Sequence, residues 1–252
     1  MDNNYTIAEK VSLPSKGLIY NTPINPEITL RAMTTREEMK RLAPTDKPYK
    51  AMCDIIWDCI VGEKPKIHVY DMCMGDYIYL LHRIRTITYG SDYKLTARCP
   101  FCNSLKEYNF NLDELDIVEY EQDNKDLFKL TLPRSKVEIE IKLQTPRILD
   151  TISSEVKAFK KKFKNSIDPT LRITLQNIIS KVNGEDVTPG DLEQFALQLS
   201  MGDVNYIINK SEKLNRKVGI DTSIILTCAE CGDDFVSTFR YTSEFFGPTY
   251  DE

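Results

Sequence analysis

Hydrophobic residues follow two different periods along this chain. In short segments they alternate with polar residues, as in a strand, and in longer segments they recur every three to four residues, as in a helix. The alternating segments predict strands over 28–33, 93–97, 107–112, 127–132, 137–143, 223–227 and 235–241. The helical spacing predicts helices over 34–43, 49–61, 71–85, 146–164, 169–182, 190–200 and 203–217. Because strands and helices occur in separate blocks, we expect an α+β fold.

Capping and turn residues mark the ends of several predicted helices. Thr34 and Glu37 have the spacing of a capping box, in which each side chain bonds the backbone N–H of the other residue. Thr145-Pro146 and Asp168-Pro169 each place a proline at the first position of a helix. Asn183-Gly184 is predicted to end the helix that precedes it.

The composition is that of a globular protein with its own core. The chain has 252 residues, 41% of them hydrophobic, so a core forms without disulfides. It carries 33 Lys and Arg against 38 Asp and Glu, a net charge of -5, which argues against a protein that coats nucleic acid through a basic surface. No apolar run approaches roughly 18 residues, and the first residues lack a secretory pattern. We therefore expect a soluble protein made inside the cell, with no membrane span.

The seven cysteines fall into two groups. Three of them, Cys53, Cys59 and Cys73, sit in apolar, helix-like segments and are predicted to be buried small hydrophobic residues. The other four form two C-x-x-C pairs, each preceded and followed by a predicted strand and each followed by a turn-forming residue. These four are Cys99, Cys102, Cys228 and Cys231.

Two such pairs have the chemistry of a structural zinc site. Zinc takes four thiolates in a tetrahedron, and two-residue spacing lets one turn present two sulfurs to the same ion. We therefore predict one structural Zn²⁺ per chain, held by both pairs. Residues 103–227 separate the pairs, far more than in a compact zinc ribbon. A β-hairpin turned at Pro133-Arg134-Ser135 and the helices after it are accordingly predicted to form an insertion whose ends return to the same place.

Catalysis and redox chemistry are the alternatives for these cysteines. A dithiol redox site would be expected beside a parallel βαβ pattern, and neither pair has one. Four thiolates leave no open position for water on the metal, which argues against catalytic zinc. The sequence contains no phosphate-binding glycine loop, no G-x-S-x-G and no H-E-x-x-H. We therefore predict that the protein is not an enzyme.

Residues 157–164, KAFKKKFK, form a lysine-rich amphipathic segment. One interpretation places its phenylalanines on the core while the lysines reach into solvent. The other makes it a patch for an acidic partner or for nucleic acid.

Several motifs in order resemble one known family, the T-even-type bacteriophage baseplate hub assembly proteins. The motifs are LPSKGLIY over 13–20, ITLRAMTTREE over 28–38, RIRTITYG over 83–90, CPFC over 99–102, TCAECGDDF over 227–235 and FFGP over 245–248. The resemblance covers residues 13–112 and 221–248, with the helical middle as a variable insert. It implies a non-enzymatic role in building the central hub of a contractile-tail baseplate, with other hub, spike or tape-measure proteins as partners. It also implies assembly in the host cytoplasm, either as a subunit that stays in the virion tail baseplate or as an assembly factor that leaves.

The predicted layout has four parts. Each C-x-x-C turn is called a knuckle below. The parts are an N-terminal arm and strand over 1–33, a helical segment with the first knuckle over 34–112, the inserted β-hairpin and helical subdomain over 113–220, and the second knuckle with an aromatic tail over 221–252. Exposed aromatic residues concentrate binding energy, so the arm and tail are candidate partner contacts, the alternative being that both ends fold back on their own domain. The candidate residues are Leu18, Tyr20, Phe245, Phe246 and Tyr250. The alternative function is a zinc-ribbon nucleic-acid-binding protein.

Overall fold

The structure is a computed structural model that describes residues 7–121, 128–163, 167–239, 241 and 243–246. Within these residues helices and small antiparallel sheets occur together, which confirms the α+β prediction. The strands are β1 (Ala8–Ser12), β2 (Glu27–Arg31), β3 (Ile60–Val61), β4 (Asp92–Arg98), β5 (Leu105–Asn111), β6 (Ile117–Val118), β7 (Lys129–Thr131), β8 (Glu138–Ile141), β9 (Ile179–Val182), β10 (Glu185–Asp186), β11 (Gly219–Ile220), β12 (Ser223–Thr227) and β13 (Asp234–Thr238). The helices are α1 (Thr35–Arg41), α2 (Pro48–Cys59), α3 (Met74–Tyr89), α4 (Pro146–Phe163), α5 (Thr170–Ile178), α6 (Pro189–Gln198) and α7 (Met201–Asn215). Of the helices described, none is both long and apolar enough to cross a membrane.

The first core forms where the sheet β1–β2–β3 meets α2 and α3. Leu30 of β2, Ile56 of α2 and Leu80 and Ile84 of α3 are all fully buried there. The helical stripe predicted for 71–85 is therefore the face that α3 turns to this core, because residues spaced by three or four positions share one side of a helix.

Of the N-terminal arm predicted for residues 1–33, the described part, residues 7–33, packs on the body. β1 pairs antiparallel with β2, and Leu13 and Ile24, on either side of the intervening loop, are buried. The prolines and glycines of this stretch correctly indicated irregular backbone, but they carry no information about exposure. The apolar side chains between them determine where the segment lies, because their burial removes hydrophobic surface from water.

A buried aspartate fixes the loop that follows β1. Asp76, in the first turn of α3, accepts hydrogen bonds from the backbone N–H and the hydroxyl of Ser15 and from the hydroxyl of Tyr20. Burial raises the pKa of Asp76, although these hydrogen bonds oppose the increase. Removing the carboxylate would leave several buried donors unpaired, so this contact stabilises the N-terminal segment on the body.

The predicted capping box at the start of α1 is present. The backbone N–H of Thr34 donates to Glu37, which is only 2% exposed and also accepts two hydrogen bonds from Arg31. The Arg31 hydrogen bonds lower the pKa of Glu37 to about 2.

Glu37→Gln is expected to destabilise the protein by about 1–3 kcal/mol at neutral pH. A carboxylate whose pKa falls on folding contributes stability above its unfolded pKa and loses it as the pH drops toward its folded pKa. The difference in unfolding free energy between wild type and Glu37→Gln should therefore shrink between pH 5 and pH 3, which urea unfolding would measure. Glu63→Gln, at an exposed position, serves as control. A difference for Glu37→Gln that stays constant over this range would contradict the assignment.

A second core lies between the sheet β10–β9–β8–β7 and helices α5 to α7. Leu132, Ile139, Ile178 and Ile207 are buried in it. β7 and β8 form the predicted hairpin, with Thr131 paired to Glu138 across the turn.

The helix predicted over 169–182 is wrong in its second half. α5 ends at Ile178, and the chain continues directly as β9, which pairs with both β8 and β10. Asn183 and Gly184 both adopt positive φ, 51° and 81°, and connect the paired residues Val182 and Glu185. Asn-Gly with positive φ at both positions is typical of a two-residue hairpin turn, so this dipeptide turns a strand and does not end a helix.

The segment 117–220 leaves and rejoins the rest of the chain at one place. β6, near its start, pairs antiparallel with β11 at its end. At this junction Gly75 of α3 lies directly against the backbone of Val218 and Gly219. A side chain at either glycine would collide with the opposite backbone, so only glycine allows this approach.

Side chains also join α4 to the first core. Asp150 of α4 is buried and accepts hydrogen bonds from the backbone N–H groups of Tyr49 and Lys50 and from the Tyr70 hydroxyl. Those N–H groups belong to the first turn of α2, whose own N-cap residue makes no side-chain cap. Asp150 therefore caps α2, which lies about 100 residues earlier in the chain. It accepts hydrogen bonds from first-turn N–H groups, which have no partner within a helix.

Candidate metal centre

The first knuckle is the turn between β4 and β5. These strands pair from Asp92↔Asn111 to Arg98↔Leu105, which brings Cys99 and Cys102 to the tip of a two-stranded ribbon. The backbone N–H of Cys99 donates to the carbonyl of Ser104 (2.9 Å), and that of Asn103 donates to the carbonyl of Cys99 (3.0 Å). Asn103 has φ of 63°, a left-handed conformation that asparagine adopts more readily than most residues.

The second knuckle repeats this geometry between β12 and β13. The N–H of Cys228 donates to the carbonyl of Asp233 (2.9 Å), and that of Gly232 donates to the carbonyl of Cys228 (2.8 Å). Gly232, with φ of 77°, occupies the position of Asn103. The two motifs therefore fold into the same turn, as their matched turn residues predicted.

The structure brings all four predicted cysteines together. Their sulfur atoms all lie within 4.8 Å of one another. The shortest separations join the two knuckles: Cys99 Sγ lies 3.7 Å from Cys231 Sγ, and Cys102 Sγ lies 3.6 Å from Cys228 Sγ. Four sulfurs about 2.3 Å from a central ion in a tetrahedron would be about 3.8 Å apart. The cluster therefore has the size and donor set to hold one metal ion.

The inner half of the cluster is shielded from water. Cys99 and Cys228 are buried, whereas Cys102 and Cys231 are exposed. Hydrogen bonds from the Ser104 hydroxyl and from the backbone N–H groups of Cys231 and Glu230 lower the pKa of Cys228 to about 6. The pKa of Cys231 is instead raised, by burial and by its side-chain hydrogen bonds with Asp233 and Cys228. Thiolates are the metal-binding form of cysteine, so of these two thiols Cys228 is the one whose environment favours coordination.

A dithiol redox site would be arranged differently. Its two sulfurs would come from one C-x-x-C motif, whereas here the closest sulfurs come from different motifs. The remaining cysteines are buried, as predicted: Cys53 and Cys59 lie in the first core, whereas Cys73 lies beside the Tyr20 hydroxyl and Asp76. Burial raises the pKa of Cys59 and of Cys73 to about 12, so these thiols stay protonated at neutral pH.

Two features of the centre were not anticipated from the sequence. The Ser104 hydroxyl lies 3.1 Å from Cys102 Sγ and 3.4 Å from Cys228 Sγ, so it contacts both knuckles. Lys106 forms an ion pair with Glu230 (2.5 Å), which joins the two ribbons at the surface. The sequence did hold a signal for the role of Ser104. It is the second residue after the first knuckle, and the other motif has the polar Asp233 at the same position.

A small apolar cluster holds the two ribbons face to face. It consists of Ala97, Cys99, Leu226, Cys228 and Phe235, with Leu95, Tyr108 and Ile224 packed at its margin. Near the first core, Phe239, which follows β13, also contacts Tyr93 of β4 and Phe110 of β5.

The candidate partner residues occupy different environments. Leu18 is 40% exposed, and Tyr20 is tied to Asp76 as described above. Phe245 and Phe246 are buried, and the Phe245 ring contacts the rings of Phe239 and Tyr241. Their burial favours the alternative in which the end of the chain folds back on its own domain, and partner contact stays a prediction. The fifth candidate, Tyr250, lies outside the described residues.

Comparison with known proteins identifies the family. Residues 5–247 match the family described as T4 bacteriophage base plate protein, a span that includes both knuckles and the segment between them. No curated protein and no solved structure matches the chain. Because the family match covers nearly the whole chain, it confirms the resemblance to T4-type baseplate proteins. The chain belongs to the T4 bacteriophage base plate protein family.

Proposed function

We propose that this chain is a non-enzymatic structural or assembly protein of the central hub of a contractile-tail baseplate, stabilised by one structural zinc ion. The observation that carries the proposal is the family match over residues 5–247. A baseplate protein acts by contact with other baseplate proteins. A body whose distant segments are joined by the cysteine cluster and by buried hydrogen bonds is suited to that task.

Zinc is the metal that best fits the four sulfur ligands. Tetrahedral sites with only thiolate ligands bind Zn²⁺ or iron–sulfur centres, and paired C-x-x-C turns are typical of structural zinc. Four protein ligands would leave no position for water, so the ion would support folding and not catalysis. The expected content is one zinc ion per chain, measured by elemental analysis of the purified protein.

The zinc site would fix the C-terminal part of the chain to the first core. β13 leads from the second knuckle to Phe239, whose ring contacts those of Tyr93, Phe110 and Phe245. Arg85 of α3, itself buried, donates a hydrogen bond to the carbonyl of Phe245 (3.1 Å). Metal binding at the ribbons would therefore stabilise the aromatic end of the chain in its buried position.

The nucleic-acid alternative finds little support at the knuckles. Lys106 is paired with Glu230, and the second knuckle carries the exposed acids Asp233 and Asp234. Phosphate binding depends on unpaired positive charge and weakens with salt. Salt-dependent binding of single- or double-stranded DNA at the knuckles would favour this alternative.

The test of the hub proposal is an infection in which the gene for this chain is interrupted. We expect baseplates to accumulate without a complete central hub, as seen by electron microscopy. Quantitative mass spectrometry of wild-type tails then separates the two roles: a fixed copy number identifies a structural component, and absence identifies an assembly factor. Complete, functional baseplates in the interrupted infection would contradict the proposal.

A further inference from the structure

A groove with basic and aromatic walls runs between the C-terminal half of α4 and α5. Its volume is about 400 Å³. On the α4 side the rings of Phe159 and Phe163 are 4.4 Å apart, and on the α5 side Arg172 lies over the Phe159 ring (5.3 Å). The groove shares no residue with the metal centre.

The mouth of this groove exposes apolar surface. Phe163 lines the groove and is 44% exposed; along the chain, Leu171 directly precedes the lining residue Arg172 and is 49% exposed, and Ile167 is 64% exposed. An isolated exposed apolar side chain is ordinary, but several close along the chain beside a groove are typical of a protein contact. Although α4 is strongly amphipathic, only Pro146 and Asp150 of its residues are fully buried.

The charge beside the groove is opposite to that of the chain as a whole. Residues 157–163 contain four lysines and no acid, whereas the chain carries a net charge of -5. Lys161 and Lys162 are exposed, and within the described residues neither forms an ion pair. Lys157 and Lys160 have only long, exposed ion pairs, which screen little of their charge.

We propose that this groove binds an acidic amphipathic helix of a partner protein. A helix places apolar residues at every third or fourth position into a groove, while flanking acids meet the lysines. Complementary charge of this kind sets the orientation of the partner and increases the association rate. The phenylalanines that line the groove and the exposed lysines beside them match the two parts of such a contact.

Nucleic acid fits the groove less well. Glu155 lines it, and Glu193 pairs with Arg172 at 2.5 Å, so the unpaired positive charge is confined to the lysines at the C-terminal end of α4 and does not form a continuous basic track. A duplex also makes little use of an apolar cleft, since its affinity rests on phosphate contacts.

The test is fluorescence anisotropy of the full-length protein with a labelled synthetic peptide. The probe is a helix of about five turns with leucines on one face and glutamates beside them. We expect saturable binding that is at least tenfold weaker for Phe163→Ala and for the double variant Lys161→Glu/Lys162→Glu. These side chains are exposed, so both variants should keep the wild-type melting temperature.

Three controls make the outcome decisive. Lys213→Glu/Lys217→Glu makes the same charge change at exposed positions elsewhere and should bind normally. A probe with lysines in place of glutamates tests for plain hydrophobic adhesion, and an oligothymidine longer than roughly 16 nucleotides tests for single-stranded DNA. Equal binding of either peptide by all variants, or preference for the oligothymidine, would overturn the proposal. None of these measurements depends on zinc or on a hub location.

Discussion

With one zinc ion shared by both knuckles, as proposed, replacing Cys228 by serine is expected to release that ion and to lower the melting temperature by on the order of 10 °C or more. The four sulfurs form one cluster, so three remaining thiolates cannot complete the tetrahedron. Without the ion, each ribbon is a two-stranded hairpin, which is marginally stable in water. Cys99→Ser should give the same result, because Cys99 belongs to the other knuckle but to the same site.

Metal content by elemental analysis and melting by calorimetry would measure both effects. Cys59→Ala is the matched control: this cysteine is also fully buried but lies in α2, apart from the cluster. It should cost about 1 kcal/mol for the lost side chain and keep the full metal content. A serine variant at Cys99 or Cys228 that keeps both its metal and its melting temperature would show that the knuckles do not share an ion.

Gly75→Ala is expected to destabilise the protein by about 3 kcal/mol. A Cβ atom at Gly75 would lie 2.2 Å from the carbonyl oxygen of Val218 and 2.6 Å from its carbonyl carbon. Both are backbone atoms at the end of the inserted segment, so no side chain can rotate to relieve the collision. Gly219→Ala should be at least as damaging, since its Cβ would meet the Gly75 Cα at 2.8 Å and its φ is 123°.

Gly190 provides a closely matched comparison for Gly75. Both glycines occupy the second position of a helix, Gly75 in α3 and Gly190 in α6. A Cβ at Gly190 would meet nothing within 4 Å. Gly190→Ala should therefore be neutral or stabilise the protein by up to about 1 kcal/mol, through the better helix propensity of alanine. Equal unfolding free energies for the two alanine variants would show that the contact with Val218 is not tight.

The metal centre could be predicted from the sequence because its signal is local. Each C-x-x-C pair, with its turn residue and flanking strands, is complete within a few positions, and the second pair repeats the first. The separation of the four C-x-x-C cysteines from the other three rests on the same kind of local information. The structure adds how the ribbons face each other and that Ser104 contacts both knuckles.

The error in the predicted secondary structure over 169–182 arises because a short apolar pattern fits both a helix and a strand. Ile178, Ile179 and Val182 fit a helical stripe, but the last two belong to a strand that Asn183-Gly184 turns. Tertiary pairing with β8 then overrides helix propensity, which is a weak preference.

Contacts between distant residues were outside the reach of sequence patterns. Nothing near Asp150 indicates that it caps α2, and nothing near Asp76 indicates that it holds Ser15 and Tyr20. The burial of Phe245 likewise depends on the rings that surround it in the fold. A single chain without its relatives gives no sign of such pairings.

The separation of the two knuckles along the chain also sets an order of events during translation. Cys99 and Cys102 leave the ribosome well before Cys228 and Cys231, with residues 103–227 made in between. At about 5–20 residues per second, the first pair of thiols waits on the order of ten seconds for the second. A chain whose synthesis stops in that interval lacks the second pair and cannot complete the four-sulfur cluster. The proposed zinc ion would therefore be held by both knuckles only in chains extended past Cys231.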